Sequence, residues 1–467
     1  MGDNCLLGID CGLTLVKAVL FRPDGTKIRE ASKQTPLKDG RIDAEALWCN
    51  VCDCCGEICE EHDVIAVGLS GHGNGLYALD NHNHILAALP SMSPDSVHIE
   101  DFPRYYSITK QSCWAGQPLQ LLRTLKDKEL STYKQVRTLL HCKDYIRYML
   151  TGKLASDYTD TSASALLNIE SGEYSPDLFA LAGIDDKAFD LPPLFDSTEI
   201  GGYISKSAAQ ITGLKEGTPV SVGLIDLNAC MLGAGVLNPE LYSVTAGTWG
   251  ITTRITDRII DSHSITQNTF CIDKQHRMAV ISSPTSCVNL NWFLNTTRPD
   301  MSYDEANEIA GKFGPKDTEV LFLPYLYEDM ARTGIKSQFI GMSAQTGYDE
   351  LLRSVYEGVM FSHKDQVERM KKSGLDASSI RLSGGASNSP FWCQLFADGI
   401  GLPVETLTEK QVGALGAAMT AAVAVGEYAS VQNAAEKMVH IANTTYPKEV
   451  GAYDDKFAKF IRMAGEV

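Results

Sequence analysis

Two glycine–threonine turns, one near the start of each half, constrain this chain more than any other feature. Gly8-Ile9-Asp10-Cys11-Gly12-Leu13-Thr14 separates an apolar run over 6–9 from another over 15–21. Ala246-Gly247-Thr248-Trp249 separates runs over 241–245 and 249–255 in the same way. Apolar runs flanking a glycine-containing turn predict β-hairpins. A hairpin at the head of each half predicts a duplicated α/β domain gripping one ligand. Glycine lets a backbone approach a phosphate closely, and the N–H groups of such a turn point at the anion. Asp10, inside the first turn, suits a divalent cation rather than the phosphate itself.

The chain is long enough, at 467 residues, for several domains with substantial cores. A net charge of −17 argues against nucleic acid or an anionic membrane as main partner, since both recruit basic faces. An anionic nucleotide stays compatible, because local amides and a metal ion override the global field. No apolar stretch reaches the roughly 18–20 residues of a membrane span. The first residues enter a strand rather than a basic and then apolar leader. The expected location is cytoplasmic, where the 13 cysteines stay reduced.

Five of these cysteines (Cys49, Cys52, Cys54, Cys55 and Cys59) cluster ahead of His62. Cys49 and Cys52 have the spacing of half a zinc site, yet no second pair completes it. Residues 43–61 also read as a capped helix with Leu47, Val51, Cys54, Cys55 and Ile58 on one stripe. Cysteine packs there as a small hydrophobe, and packing is the expectation.

A continuous apolar run over 64–69 predicts a buried parallel strand delivering Ser70-Gly71-His72-Gly73-Asn74-Gly75, with a further strand over 76–79. In open α/β sheets, ligands bind beyond the carboxyl ends of such strands. Residues 115–150 carry helical periodicity and stop at Gly152. A strand over 220–224 leads into Asp226 and a helix over 227–235. Asn238-Pro239 marks a boundary, giving domains 1–239 and 240–467. The second half repeats the plan with a helix over 350–372 and a strand over 380–382, which meets Ser383-Gly384-Gly385-Ala386-Ser387-Asn388. Further helices over 390–400 and 412–425 flank a short strand over 403–406. The last helix is built around Gly413-Ala414-Leu415-Gly416-Ala417-Ala418, small residues that admit a second helix or a flat ligand, packing being the safer expectation. No low-complexity linker separates the halves, which predicts a shared interface with a cleft.

Walker A, HExxH and GxSxG sequences are absent, so P-loop phosphate binding, zincin proteolysis and the serine-hydrolase elbow lose support. Each remaining loop taken alone is explained by a tight turn or a helix cap. Their order carries the information. In that order the chain resembles the FGGY carbohydrate kinases of the actin/hexokinase/Hsp70 ATPase superfamily, over nearly its whole length. Gly8-Ile9-Asp10 with Gly12 and Thr14 matches the first phosphate motif, and Gly247-Thr248 the second. Lys143-Asp144-Tyr145 with Leu150-Thr151-Gly152, and Asp157 with Ser162, match two further family segments. Ser70 to Gly75 stands at the sugar loop, Asp226 at the catalytic aspartate, and Ser383-Gly384-Gly385-Ala386 at the adenosine loop. Segments 137–152, 246–249, 283–292 and 356–363 are similar to members acting on ketopentoses such as L-xylulose.

The resemblance implies two ribonuclease H-like (actin-like ATPase) domains around a central cleft, with ATP and Mg²⁺ bound between them. It assigns Asp226 as general base, and Gly12, Leu13, Thr14, Gly247 and Thr248 to the β- and γ-phosphates. Asp10 holds Mg²⁺ through water, while Gly384, Gly385, Ala386 and Asn388 border the adenosine. His72, Gly73, Asn74, Trp114 and Asp226 are the candidates for the sugar. Trp114 either stacks on the carbon skeleton or anchors the following helix, and His72 reads equally as a loop histidine. The implied partners are a sugar and ATP, and a homodimer is common in the family. The chemistry agrees: an alcohol with a high pKa needs a carboxylate to accept its proton, and the γ-phosphate needs its charge offset. Alternatives are a kinase of xylulose, ribulose, gluconate, glycerol or erythritol, a non-catalytic sugar sensor, or an actin- or chaperone-like ATPase.

Three positions depart from the family pattern. Leu13 replaces a small hydroxylated residue, Ser91-Met92-Ser93-Pro94-Asp95 lacks the family's arginines, and Leu121-Leu122-Arg123-Thr124 stands in place of a Lys-x-x-Trp signature. None touches Asp226 or the glycine loops.

Overall fold

A computed structural model describes residues 4–60, 62–92, 97–327, 329, 332 and 334–465. Among these residues the two halves are each built on a seven-stranded mixed sheet. In the first, Asn4–Cys11 lies centrally, antiparallel to Leu15–Phe21 and parallel to Asp63–Gly71. Cys5, Leu6, Leu7, Ile9 and Cys11 are all buried, as a strand covered on both faces requires. Lys27–Gln34 forms one edge, while Pro219–Ser221 and Ile200–Tyr203 extend the other. The second sheet repeats the arrangement. Leu241–Ala246 is antiparallel to Gly250–Thr256 and parallel to Ser379–Ser383. In both halves, therefore, a hairpin tip and the end of a parallel strand lie side by side.

The helix Val412–Ala424 joins the halves. Although it follows the second sheet in sequence, it packs on the first: a Cβ built on Gly8 would stand 1.9 Å from the Ala414 carbonyl oxygen, and one on Gly68 1.8 Å from that of Ala417. A Cβ on Gly416 would meet the Ala229 carbonyl oxygen, in helix Asp226–Gly233, at 2.0 Å. The small residues thus serve backbone-to-backbone packing. One buried cluster there draws Leu6 and Val19 from the first half, Met278 and Val280 from the second, and Leu415 and Ala418 from the helix.

Three spans differ from expectation. Residues 115–150 are not one helix but Pro118–Lys128, Leu130–Tyr133 and Cys142–Thr151, with the strand Thr138–Leu140 between them. That strand pairs with Leu76–Leu79, and this long-range pairing overrides the local period. The strand over 220–224 is broken: Gly223 adopts φ +83°, and the chain resumes as Leu224–Ile225 on the same neighbour, Asp63–Gly71. Asp226 then opens its helix rather than preceding it. The cysteine segment forms helix Ala44–Cys59, capped by the Asp43 side chain, and buries Cys52, Cys54, Cys55 and Cys59 on its inner face. Burial pushes the Cys52 and Cys59 thiols up to about 12 and that of Cys54 to about 11, so they stay protonated.

Candidate active site

The break at Gly223 places Asp226. Arg147 Nη1 donates to the Val222 carbonyl at 2.6 Å and the Gly223 N–H to that of Ser197 at 3.1 Å, pinning the bend from both sides. Asp226 Oδ1 accepts the Leu227 N–H at 2.7 Å. A Cβ on Gly73 would stand 2.4 Å from the Ile225 side chain and 3.7 Å from Asp226 Oδ1, so the glycine brings the 70–75 loop onto the carboxylate. Asp10, at the end of the neighbouring strand, accepts a hydrogen bond from Ser70 Oγ at 2.5 Å. Burial pushes the Asp226 carboxyl up to about 7, with the charge of Asp10 adding to the shift and His72 opposing it. Burial likewise raises Asp10. Two carboxylates that each resist ionisation share one end of the sheet, and a cation there relieves both.

Beside them lies a group of buried polar atoms without partners. His72 is 2% exposed and Asn74 5%. His72 Nε2 lies 3.2 Å from Tyr77 Oη, but His72 Nδ1, Asn74 Oδ1 and Trp114 Nε1 have no hydrogen-bond partner. Buried polar groups are ordinarily paired, and this set leaves one ring nitrogen, one amide oxygen and one indole N–H free to bond a ligand. The Trp114 loop is tied to the 70–75 loop by the Gly75 N–H, which donates to the Gly116 carbonyl at 3.0 Å.

Sequence reasoning missed Asp160 and Gln111. Both Asp160 carboxylate oxygens and Gln111 Oε1 are buried and accept no hydrogen bond. Burial raises Asp160 to about 6, against the pull of His141 and Lys143. Behind it, Lys143 Nζ lies 2.6 Å from Asp144, 2.8 Å from Asp157 and 3.6 Å from Asp160, all fully buried. Thr159 Oγ1 accepts the Ile225 N–H at 3.1 Å, linking this charged cluster to the residue before Asp226. The one signal for Asp160 was its place three residues after Asp157, within a single helical turn.

In the second half, Gly247, Thr248, Gly385, Ala386 and Asn388 line one cavity of about 480 Å³, together with Asn291, Tyr303 and Trp392. A Cβ on Gly247 or Gly385 would meet nothing within 4 Å, and neither residue has a positive φ. Their lack of side chains therefore serves the cavity and not the backbone. Gly384 differs: it has φ +82°, and a Cβ there would stand 2.7 Å from the Ala246 carbonyl oxygen. The Gly12 N–H closes its own hairpin on the Leu15 carbonyl at 3.0 Å, and the Gly247 N–H does so on that of Trp249 at 3.2 Å. The exposed tips are Thr14 and Thr248. Leu13 packs against the first-half core. Asn291 and Tyr303, on helices Val288–Thr297 and Tyr303–Ala310, left no recognisable pattern in the sequence.

Of the departures, Ser93, Pro94 and Asp95 lie outside the described residues. Leu121 and Leu122 are buried in helix Pro118–Lys128, and Arg123 Nε pairs with Asp127 at 2.8 Å.

The duplicated α/β fold, with paired carboxylates in one half and a glycine-lined cavity in the other, is of the actin-like ATPase type. The chain belongs to the FGGY family of carbohydrate kinases: residues 5–233 match the family's N-terminal domain and residues 242–425 its C-terminal domain. It is thus a sugar kinase whose phosphate donor is ATP. It is 32% identical to a probable L-xylulose kinase of Haemophilus influenzae, with 98% of each chain covered. It is also 32% identical to the L-xylulose/3-keto-L-gulonate kinase of Escherichia coli, over 97% of this chain and 95% of that one. The crystal structure of a ligand-bound xylulose kinase from Lactobacillus acidophilus shares the fold, with a TM-score of 0.90 at 22% identity, over 98% of this chain and 97% of that one.

Proposed function

We propose that this kinase phosphorylates a ketopentose, with L-xylulose as first candidate, using Asp226 as general base. The observation that carries the proposal is that the 70–75 loop, whose His72 and Asn74 hold unpartnered buried atoms, comes onto Asp226 at Gly73, with the Trp114 loop tied to it through Gly75. The names of the relatives direct the choice of sugar. In this scheme the first lobe, 1–239, holds the acceptor and the second, 240–467, the nucleotide.

His72, Asn74 and Trp114 orient the sugar, and Gly73 leaves room for its reacting hydroxyl beside Asp226. Asp226 takes the hydroxyl proton as the oxygen bonds to the γ-phosphorus and the bridging bond to the β-phosphate breaks, releasing ADP. A carboxyl poised near neutrality suits this role, being ionised at working pH yet basic enough to hold the proton. Thr14 and Thr248, each exposed at the tip of its own hairpin, hold the phosphates with their hydroxyls and turn amides. Leu13 contributes only its backbone. Gly384 shapes the loop on which Gly385, Ala386 and Asn388 border the adenosine.

Among the described residues no group of three or more His, Cys, Asp or Glu side chains could hold a metal ion by itself. Mg²⁺ keeps waters and takes phosphate oxygens alongside one or two carboxylates. Asp10 is the residue that would hold it, and the ion supplies charge neutralisation on the phosphates. A homodimer rests on the family resemblance, and sedimentation of the purified protein tests it.

The proposal is tested by ADP release across a panel of pentuloses, hexuloses, polyols and sugar acids. L-Xylulose should give the highest kcat/KM, and Asp226→Asn should lower the response to every sugar at least about a hundredfold. A panel with no stimulating sugar, or full turnover by Asp226→Asn, overturns it.

A further inference from the structure

Trp249 ends the second glycine–threonine turn and stands directly before strand Gly250–Thr256. Its backbone and its ring face different tasks. The Trp249 carbonyl accepts the Gly247 N–H at 3.2 Å and so closes the turn that presents Thr248. Its indole lies edge-on to Trp114 of the other half, with ring centroids 6.4 Å and planes 62° apart. Such a T-shaped pair is an attractive geometry for two aromatic rings.

The Trp114 loop is itself held at two places. The Gly75 N–H of the 70–75 loop donates to its Gly116 carbonyl at 3.0 Å. The Ser112 N–H donates to the Thr266 carbonyl of the second half at 2.9 Å. A continuous route therefore runs from Asn74 and Gly75 through Trp114 to Trp249, and on to Gly247 and Thr248. Trp114 Nε1 is buried with no partner, so its indole can turn toward a sugar hydroxyl without breaking a bond.

We propose that Trp249 is a positioning residue that couples the two substrates: through Trp114 it senses the acceptor loop, and through its carbonyl it sets the phosphate turn. This rests on the sugar-kinase reading above and adds a device to it. The reaction it suppresses is transfer to water. There a water oxygen bonds to the γ-phosphorus, the bridging β–γ P–O bond breaks with its electron pair leaving on ADP, and the water proton passes to Asp226. ATP and water thus yield ADP, phosphate and a proton.

The test measures ADP release with and without L-xylulose for the wild type, Trp249→Ala, Trp249→Phe, Trp114→Ala and the double alanine variant, each first shown by circular dichroism to be folded. Trp249→Ala should keep its KM for ATP within about twofold, raise its KM for sugar about tenfold, and lower the ratio of sugar-stimulated to basal ADP release about tenfold. Trp249→Phe should restore most of that ratio, because an aromatic edge remains. The double variant should be no worse than the worse single one, as expected of residues acting as one unit. An unchanged ratio in Trp249→Ala overturns the coupling. So does an equal rise in both KM values, or a Trp249→Phe variant as impaired as the alanine. If the wild type itself shows no sugar stimulation across the panel, the kinase proposal falls and this one with it.

Discussion

The Asp226 carboxyl carries a raised pKa, about 7, because burial and the nearby charge of Asp10 both disfavour its ionised form. The unfolded chain returns it to about 3.9. Between these values the folded state holds the extra proton, so stability falls as pH rises through the window and stays reduced above it. Asp226→Asn removes that penalty. Without ligands, the variant should melt a few degrees above the wild type at pH 8, and the difference should vanish toward pH 4, as read by calorimetry. The same variant should lose about 10²–10⁴-fold in sugar turnover. Equal melting points at pH 8 would mean that Asp226 is not strained. Asp226 drew attention through the order of the loops and the resemblance they carry, while its burial beside Asp10 depends on packing that no local pattern records. Asp160 was not legible, because what marks it is a buried carboxylate that accepts no hydrogen bond, which depends on the packing of several segments. Trp114 was left between two roles, and its contact with Trp249 shows that it faces the other half rather than simply anchoring its own helix.

Individual elements report the same contrast between local pattern and long-range packing. Helix Cys142–Thr151 carries Lys143 into a pocket of three aspartates, none of them exposed. Lys143→Met would remove the ammonium within reach of all three carboxylates, leaving Arg147 and His141 to face Asp144, and should destabilise the fold by about 3–5 kcal/mol in denaturant titrations. Two glycines on helices should respond in opposite directions. Gly416→Ala drives a Cβ to 2.0 Å from the Ala229 carbonyl oxygen and should cost about 1–3 kcal/mol. Gly56, in helix Ala44–Cys59, has nothing within 4 Å of the added Cβ, and Gly56→Ala should stabilise by about 0.5–1 kcal/mol. The long capped helices and central strands were readable from period and caps. Thr138–Leu140 was not, since a three-residue strand has no period of its own and its partner lies at Leu76–Leu79. The bend at Gly223 was hidden for a similar reason: Arg147 and Ser197 hold it from outside the strand.

Across the whole molecule the proposed division of substrates is open to a crossed test. Gly385→Val fills space that no protein atom claims within 4 Å, and should raise the KM for ATP about tenfold with the sugar KM unchanged. Asn74→Ala should do the reverse, in the same steady-state assay. If either variant shifts both constants alike, the halves do not divide the substrates. The duplication itself was visible in the paired hairpins, yet the way the halves are fastened was not. The helix Val412–Ala424 comes from the second half and lies on the sheet of the first, against Gly8 and Gly68. A polypeptide severed after Pro239 would leave one fragment with an uncovered apolar floor and the other with an orphaned apolar rod. Made separately, each should aggregate. Made together in one cell, the fragments should find each other and recover sugar turnover as a split enzyme.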